Sequence, residues 1–433
     1  MSQKNLSYLS NITQNEQLLL LEKLINQIYP YNDFYLNRIK QSGLIEDGKK
    51  FAFFSKYISL TNKHEIALNQ SSYPPYGTNL TYPLEAYSRL HQTSGTTNNL
   101  LRWLDTPESW RCMLDNWTRI YNAAKITNED RLYFAFSFGP FLGFWTAFDA
   151  ANRLGYFSIS GGGKNTQLRV IDIINNQISI LLCTPTYALR LAEVAQELNI
   201  NLAQSCVRLL ILAGETGASN PNVKDRISRE WNNANIIDHY GMTEIGPVSY
   251  QCPVNETRQH IMESSYFIEI IDPIKKTPLE FGETGELVIT TLRRFGSPLI
   301  RYCTGDIIKT HPRITCDCGS SDLFFEGGVL SRVDDMVIVR GVNVYPSSID
   351  DIIHEIEDVS DYRAHIITSN TLTQINIDIE LKSETIDNTT VINKLRLALG
   401  TRYPLKFNLS LLKPGTLERG EFKTKKWVTK KID

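Results

Sequence analysis

Five consecutive residues, Thr93-Ser94-Gly95-Thr96-Thr97, place four hydroxyls around one glycine. Small donors on a flexible turn can wrap an oxyanion without steric conflict, and exposed backbone N–H groups add to that capacity. Such a cluster is also an ordinary turn, so its meaning rests on groups far along the chain. These are Ala213-Gly214-Glu215, the run His239 to Glu244 (HYGMTE), the run Tyr302 to Asp306 (YCTGD) and the segment RVDDMVIVRGVNVYP at 332–346. Glu215 stands at a strand end, where a carboxylate can accept an N–H bond. Glu244 offers the hard oxygen that Mg²⁺ takes together with phosphate oxygens. Asp306 offers a planar acceptor pair to a vicinal diol. Near the end, PGTLERGEFKTKKW is lysine-rich, and an ammonium beside a polyphosphate stabilises charge developing on a phosphoryl group.

These residues need elements to position them. LLLLEKLINQIYPYNDFYLNRI predicts an amphipathic helix that Pro30 ends or kinks. SSYPPYGTNLTYP at 71–83 is loop-like. Thr106-Pro107-Glu108 opens a helix with acid near its positive end. RLYFAFSF, ISILLCTP and VRLLILAG read as strands, with the helix YALRLAEVAQEL between the last two. That alternation predicts a parallel or mixed sheet covered by helices, with ligands beyond the carboxyl ends of its strands. Both AGE and HYGMTE fall just past apolar runs. From 262 to 310 the chain becomes strand-rich and glycine-punctuated, as in hairpins or a small barrel. The last hundred residues read as a separate α+β lobe, with strands in MVIVRG and HIITSNTLTQINIDIEL and helices in SSIDDIIHEIEDV and TTVINKLRLAL.

Composition narrows the class. With 433 residues, 42% of them hydrophobic, the chain can bury a large core divided among two or three domains. A net charge of -2, from 45 basic and 47 acidic residues, gives no footprint for a nucleic acid or an anionic membrane. The opening MSQKNLSYLSNITQNEQ lacks the apolar run of a signal peptide, and the apolar region near 132–148 is broken by Ser137, Gly139, Pro140 and Gly143. Seven cysteines, an odd count, argue for a reducing compartment, so the expected location is the cytoplasm.

The ordered set TSGTT, AGE, YGMTE, TGD, RVDDMVIVRGVNVYP and the lysine-rich segment spans residues 93 to 426. In this set the chain resembles the adenylate-forming enzymes, and most closely their phenylacetate–coenzyme A ligase branch. The resemblance implies an α/β fold. A large adenylation domain at 1–333 would hold parallel and mixed sheets and a barrel-like part. A small mobile α+β domain at 334–433 would carry the catalytic lysine. It implies that Thr93, Ser94, Gly95, Thr96 and Thr97 wrap the triphosphate, and that Gly214 and Glu215 line the adenine pocket. Tyr240 would lie against adenine, Thr243 would contact the α-phosphate and Glu244 would hold Mg²⁺. Asp306 would clamp the ribose, with Arg332 near ribose and phosphates. Lys423 aligns with the catalytic lysine, Lys425 and Lys426 are its close neighbours, and Asp334 is the hinge position ahead of Asp335. Three positions depart from the family pattern, where Asn98, Ser331 and Phe422 stand in place of glycine.

Cys252, His260, Cys316 and Cys318 form a Cys₃His set. Thiolates one residue apart are too close for an ordinary finger knuckle, but both face one ion if the chain turns at Asp317, which Gly319 assists. A structural Zn²⁺ favours four such ligands and would staple the 250s loop to the one near 317. His311 is the competing histidine, idle or buried cysteines are the plain alternative, and several members of the resembled branch carry such a site.

The stretch YFAFSFGPFLGFW at 133–145 crowds seven aromatics among small residues. Core packing explains aromatics in general. In the resembled family this region and GGGKN at 161–165 lie near the acyl pocket, which implies an aromatic or flat carboxylic acid. The implied reaction joins that acid to ATP as acyl-adenylate, releases pyrophosphate and transfers the acyl group to coenzyme A. An amine or a carrier-protein pantetheine is the alternative acceptor, and a non-catalytic nucleotide-binding homologue is a second alternative. The sequence leaves a homodimer open.

Overall fold

The computed structural model describes residues 14–45, 54–93, 100–215, 220–333, 337–339, 342–344, 346–356, 358–369, 372–383, 387–403, 405–417 and 426–432. The chain divides into two compact units, Met1–Val329 and Leu330–Asp433. The division falls a few residues before the 333/334 point expected from sequence.

In the first unit, helices lead. The apolar stripe of Gln14–Ile28 buries Leu21, Leu24, Ile25 and Ile28, and the helix stops two residues before Pro30. Helix Lys63–Ser72 starts on a capping box, in which Asn62 accepts from Glu65 N and Glu65 accepts from Asn62 N. Strands β1 (Arg89–Gln92) and β2 (Arg102–Asp105) pair antiparallel, with Thr93 directly after β1. Thr106 then caps helix Pro107–Ala123, with Pro107 in its first turn. The same sequence signals predicted that start.

Strands β3 (Arg131–Phe134), β4 (Phe157–Ser160), β5 (Ile180–Cys183), β6 (Leu209–Ala213) and β7 (Asn235–His239) form a parallel sheet in the order β4-β3-β5-β6-β7. A helix returns the chain between each successive pair. Because helices cover both faces, β5 is buried throughout and reads as a continuous apolar run. All five carboxyl ends point to one edge, where Gly214, Glu215 and Tyr240 follow β6 and β7.

Beyond β7 the chain makes a small hairpin of β8 (Gly241–Met242) and β9 (Gly246–Pro247), with Thr243 and Glu244 in its turn. A seven-stranded sheet follows, built from β10 (Ser249–Gln251), β11 (Arg258–Ile261), β12 (Tyr266–Ile271), β13 (Pro278–Leu279), β14 (Thr284–Thr291), β15 (Tyr302–Thr310) and β16 (Phe324–Arg332). Its order is β10-β11-β16-β15-β14-β12-β13. Of the hairpins or small barrel expected here, the structure takes hairpins in a linear order.

The second unit has its own core, centred on Ile349, Ala364, Ile377, Leu395 and Leu399. A hairpin of β17 (Val337–Val339) and β18 (Val342–Val344) precedes helix Pro346–His354. Strands β19 (Val359–Ser369), β20 (Leu372–Leu381), β21 (Asn408–Leu412) and β22 (Trp427–Ile432) then form a sheet in the order β21-β20-β19-β22. Helix Asn388–Arg402 packs in the same core through Val391, Leu395 and Leu399. Among the described residues, no helix is long and apolar enough to cross a membrane.

Candidate active site

Tyr240 and Glu244 lie four residues apart in the turn after β7, and Tyr302 and Asp306 lie four residues apart on β15. The fold locks these pairs together. Tyr240 Oη donates to Asp306 Oδ2 at 2.6 Å, and Tyr302 Oη donates to Glu244 Oε1 at 3.1 Å. Each phenol meets a carboxylate on the other segment, so the two motifs are in register. A phenol donating to a carboxylate is a charge-assisted bond, which makes each lock stronger than a neutral pair. Asp306 is buried at 5% exposure, and its backbone N–H donates to Thr304 Oγ1 at 3.1 Å. Phe325 packs edge-on against Tyr240 with ring centroids 6.1 Å apart.

Glu244 is held from three sides. Lys63 Nζ lies 3.6 Å from its Oε1, and Arg294 donates to its carbonyl oxygen. Arg294 is itself fixed by a bidentate pair with Asp105, at 2.7 and 2.8 Å. Among the described residues, both side-chain contacts of Glu244 fall on Oε1, which leaves Oε2 for a cation. The donor set suits a hard dication. Thr243 sits half-buried in the same turn. Gly246 closes that turn at φ +101°, where a Cβ would come 2.7 Å from Met113 Sδ.

Thr93 ends the β1 edge with its N–H donating to Leu101 O at 3.0 Å, and its buried Oγ1 has no partner among the described residues. Ser94, Gly95, Thr96 and Thr97 lie outside the described residues, as do Asn98, Asp334, Asp335, Phe422, Lys423 and Lys425. Gly214 takes φ +87° and turns the chain out of β6. The Glu215 carboxylate accepts from Thr186 N at 3.1 Å and Thr186 Oγ1 at 2.9 Å. It therefore caps the N-terminus of helix Pro185–Glu197, a position that favours an anion. Arg332 is half-buried at the end of β16, in the second unit.

His239, at the end of β7, is 6% exposed, packs on Trp117 with centroids 4.6 Å apart and donates from Nδ1 to Ser249 O at 2.9 Å. Burial lowers its pKa to about 4. The unfolded chain thus binds a proton that the folded one refuses between pH 6.5 and 4. That share of stability is complete above pH 6.5 and is lost as pH falls towards 4, up to ~3 kcal/mol. Denaturant unfolding of H239Q is expected to lose one proton's worth of slope in this window relative to the wild type. An unchanged slope would show that His239 is not neutral in the folded protein.

Of the seven aromatics at 133–145, Tyr133, Phe134 and Phe144 are buried in the core, while Phe136, Phe138, Phe141 and Trp145 are half-buried beyond the end of β3. Phe136 and Phe138 lie 4.1 Å apart, and Phe138 meets Trp145 edge-on at 4.7 Å. The core explanation therefore accounts for one part of the cluster, and the other part forms an apolar wall at the ligand edge of the sheet.

Cys252, His260, Cys316 and Cys318 converge, with their ligand atoms all within 4.8 Å of one another. Cys252 Sγ lies 3.8 Å from Cys316 Sγ, and Cys318 Sγ lies 3.4 Å from His260 Nε2. Four ligands at Zn–S of about 2.3 Å and Zn–N of about 2.1 Å have tetrahedral edges of roughly 3.6–3.8 Å. The Cys252–Cys316 and Cys318–His260 separations lie within about 0.2 Å of those edges, and the donor set is one that Zn²⁺ takes. His260 Nδ1 contacts Asp322 O at 3.1 Å, which turns Nε2 towards the thiols. Asp322 is in turn gripped by Arg119 at 2.6 Å. Burial raises the Cys252 thiol and pushes Cys318 up to about 12. At Cys316 burial also opposes ionisation, but donation from the Cys318 backbone and Arg258 outweighs it and holds that thiol down. A dication would offset the cost of three thiolates here. His311 instead packs flat on Phe324, 4.7 Å between centroids, and is not among the converging ligands.

Residues 114–292 match the model of the AMP-binding enzyme, and residues 341–431 match that of the AMP-binding enzyme C-terminal domain. Both lie in the order the motifs required. The chain belongs to the adenylate-forming enzymes. Its curated relatives include phenylacetate–coenzyme A ligases, the branch that the motif resemblance indicated. A phenylacetate-coenzyme A ligase of Pseudomonas putida is 29% identical over 427 residues, covering 95% of this chain and 92% of that protein. The Escherichia coli phenylacetate-coenzyme A ligase is 27% identical over 418 residues, covering 93% and 91%. Among solved structures, a 2-hydroxyisobutyryl-CoA ligase in complex with its acyl-AMP has the same fold, with TM-score 0.87 at 23% identity over 96% of this chain and 89% of that one.

Sequence reasoning missed Tyr302, Lys63, Asp105 and Arg294 in this adenylate-forming enzyme. A signal for Tyr302 was present. YGMTE and YCTGD share the spacing of a tyrosine four residues before a carboxylate, and that repeat is what the two locks use. Nothing local marked the other three.

Proposed function

We propose that this chain is an AMP-forming acid–coenzyme A ligase that activates a carboxylic acid, aromatic or otherwise flat, with Mg·ATP and passes the acyl group to coenzyme A. The observation that carries the nucleotide site is the double lock between Tyr240–Glu244 and Tyr302–Asp306. It places an aromatic ring, two carboxylates and a threonine hydroxyl on one edge of the parallel sheet. Tyr240 would lie against adenine and Asp306 would take the ribose hydroxyls. Thr243 would donate to the α-phosphate, and Glu244 would hold Mg²⁺ through its open Oε2. Thr93 and the loop to Thr97 would wrap the β- and γ-phosphates, with Arg332 near the ribose and Lys423 at the α-phosphate. Glu215 would act mainly by fixing the loop after β6, because its carboxylate is occupied by Thr186. The half-buried wall of Phe136, Phe138 and Trp145 supports a flat acid. The mixed anhydride is already activated, so the protein's work is positioning and charge stabilisation.

The Cys/His cluster would hold Zn²⁺ in an architectural role, because four protein ligands leave no open position for substrate. The odd cysteine count supports a cytoplasmic setting.

Acid-dependent exchange of pyrophosphate into ATP, screened over aromatic, heteroaromatic and aliphatic acids, tests the first half-reaction. Exchange with an aromatic acid, and AMP release that depends on free coenzyme A, are expected. No exchange with any acid would favour a non-catalytic homologue. AMP release driven by an amine or carrier protein but not by coenzyme A would reassign the acceptor.

A further inference from the structure

The metal cluster and the nucleotide turn share two strands. Cys252 directly follows β10, and His260 lies within β11 opposite Tyr250. Their loop is closed by Cys252 N donating to Arg258 O at 2.8 Å. The opposite face of the same pair of strands, which carries Ser249, Gln251 and Gln259, grips the start of the nucleotide turn. Ser249 Oγ accepts from Tyr240 N at 3.1 Å and donates to Gln259 Oε1 at 2.5 Å. The Val248 and Ser249 N–H groups both donate to Tyr240 O, at 3.0 and 3.1 Å. Ser249 O takes the His239 ring at 2.9 Å. One residue earlier, Asp238 accepts from Gln259 Nε2 at 2.6 Å and donates its N–H to Gln251 Oε1 at 3.0 Å. Residues 238 to 240 are thus held by β10 and β11 side chains and backbone.

These two strands are short, three and four residues, and β10 is the sheet edge. Ser249 and Gln259 are buried, so their bonds cannot be replaced by water without opening the ladder. An ion held by Cys252 and His260 would clamp the first face of the pair to Cys316 and Cys318. Tyr250 carries the clamp inward. Its ring stacks on His260 at 5.1 Å, and its hydroxyl bonds Ser320 Oγ at 2.9 Å.

We propose that metal occupancy sets nucleotide affinity: the ion fixes the register of β10 and β11, and these strands fix the backbone of Tyr240 and the turn after it. The residues Ser249 and Gln259 are positioning residues in this scheme and touch neither ligand. The proposal rests on the metal and nucleotide readings above. Coupling of this kind is reciprocal, so nucleotide must tighten zinc binding by the factor by which zinc tightens nucleotide.

The test is calorimetric titration of AMP into the full-length protein, loaded with zinc and after removal of zinc by a chelator, with circular dichroism confirming the fold. AMP avoids a need for Mg²⁺. We expect the AMP Kd to rise about tenfold or more on zinc removal, within the ~5–150-fold range of coupled sites. Zinc should in turn bind more tightly, by the same factor, when AMP is present. Equal AMP affinity in a folded metal-free protein overturns the coupling and leaves both parent readings intact. Failure of the zinc-loaded protein to bind AMP overturns the nucleotide reading, and the coupling with it. If the metal-free protein unfolds, Gln259→Leu decides. This variant keeps all four ligands, so it should retain one zinc per chain and bind AMP about tenfold more weakly. Wild-type AMP affinity in a zinc-replete Q259L protein overturns the proposal.

Discussion

Replacing Lys423 with alanine is expected to slow acyl-adenylate formation by about 10²–10³-fold while leaving coenzyme A acylation from supplied acyl-adenylate within a few-fold of the wild type. The adenylation step builds charge on the α-phosphoryl group and on departing pyrophosphate, and a positioned ammonium stabilises both. Thioester formation breaks the bond between the acyl carbon and AMP, with no bond change at phosphorus and no departing pyrophosphate, so the same side chain is not needed. The neighbouring lysines make the experiment specific. Lys426 is already engaged in the second unit, with Nζ 3.4 Å from Asp361 Oδ1 and 4.7 Å from the centroid of the Tyr362 ring. Trp427, at the start of β22, donates from Nε1 to Asp350 Oδ1 at 2.8 Å. Those contacts occupy the Lys426 ammonium within the second unit, so Lys426→Ala should cost well under tenfold in adenylation. Pyrophosphate exchange and single-turnover thioester formation separate the two steps. Equal losses in both steps for K423A, or a K426A defect as deep as that of K423A, would refute the assignment.

Asp306→Ala is expected to raise the KM for ATP by about 10²-fold or more, because hydrogen bonds to a charged group contribute ~1.5–3 kcal/mol each and the ribose offers two hydroxyls. The carboxylate is buried beside the Tyr240 phenol, and its removal leaves that hydroxyl without its 2.6 Å partner. Two defects then add: a lost ribose acceptor and a loosened adenine-side ring. Tyr240→Phe separates them, since it keeps the ring and the carboxylate and removes only the lock. Its KM for ATP should rise by no more than about tenfold, the size of one hydrogen bond. Initial-rate kinetics in ATP at saturating acid, with melting curves to confirm folding, give the answer. A folded D306A enzyme with wild-type KM for ATP would remove Asp306 from the nucleotide site.

Much of this was legible locally. Thr106-Pro107-Glu108 announced its helix because a cap, a proline and an acid act within one turn. The run ISILLCTP announced β5 because a strand buried on both faces must be apolar throughout. The RLYFAFSF stretch was read as one long strand, but β3 stops at Phe134. Phe136 and Phe138, the last two aromatics of that stretch, leave the sheet to form the half-buried wall. Their spacing records β propensity, and where pairing stops is set by the neighbours β4 and β5.

The order of polar motifs along the chain, the charge balance and the two-part organisation were written in the sequence, because each depends on residue types and short-range periodicity. The family followed from that order alone. Only the tertiary structure showed that Tyr302 faces Glu244 while Asp306 faces Tyr240, that Arg294 reaches from beyond β14 to Asp105 and the Glu244 carbonyl, and that Glu215 is spent on a helix end. These contacts join residues tens to nearly two hundred positions apart, and which side chain meets which is fixed by sheet order and strand register. The same holds for the candidate metal ligands. Their number and type were visible in the chain, but the distances that suit one tetrahedral ion arise from the pairing of β10 with β11 and the turn at Cys316.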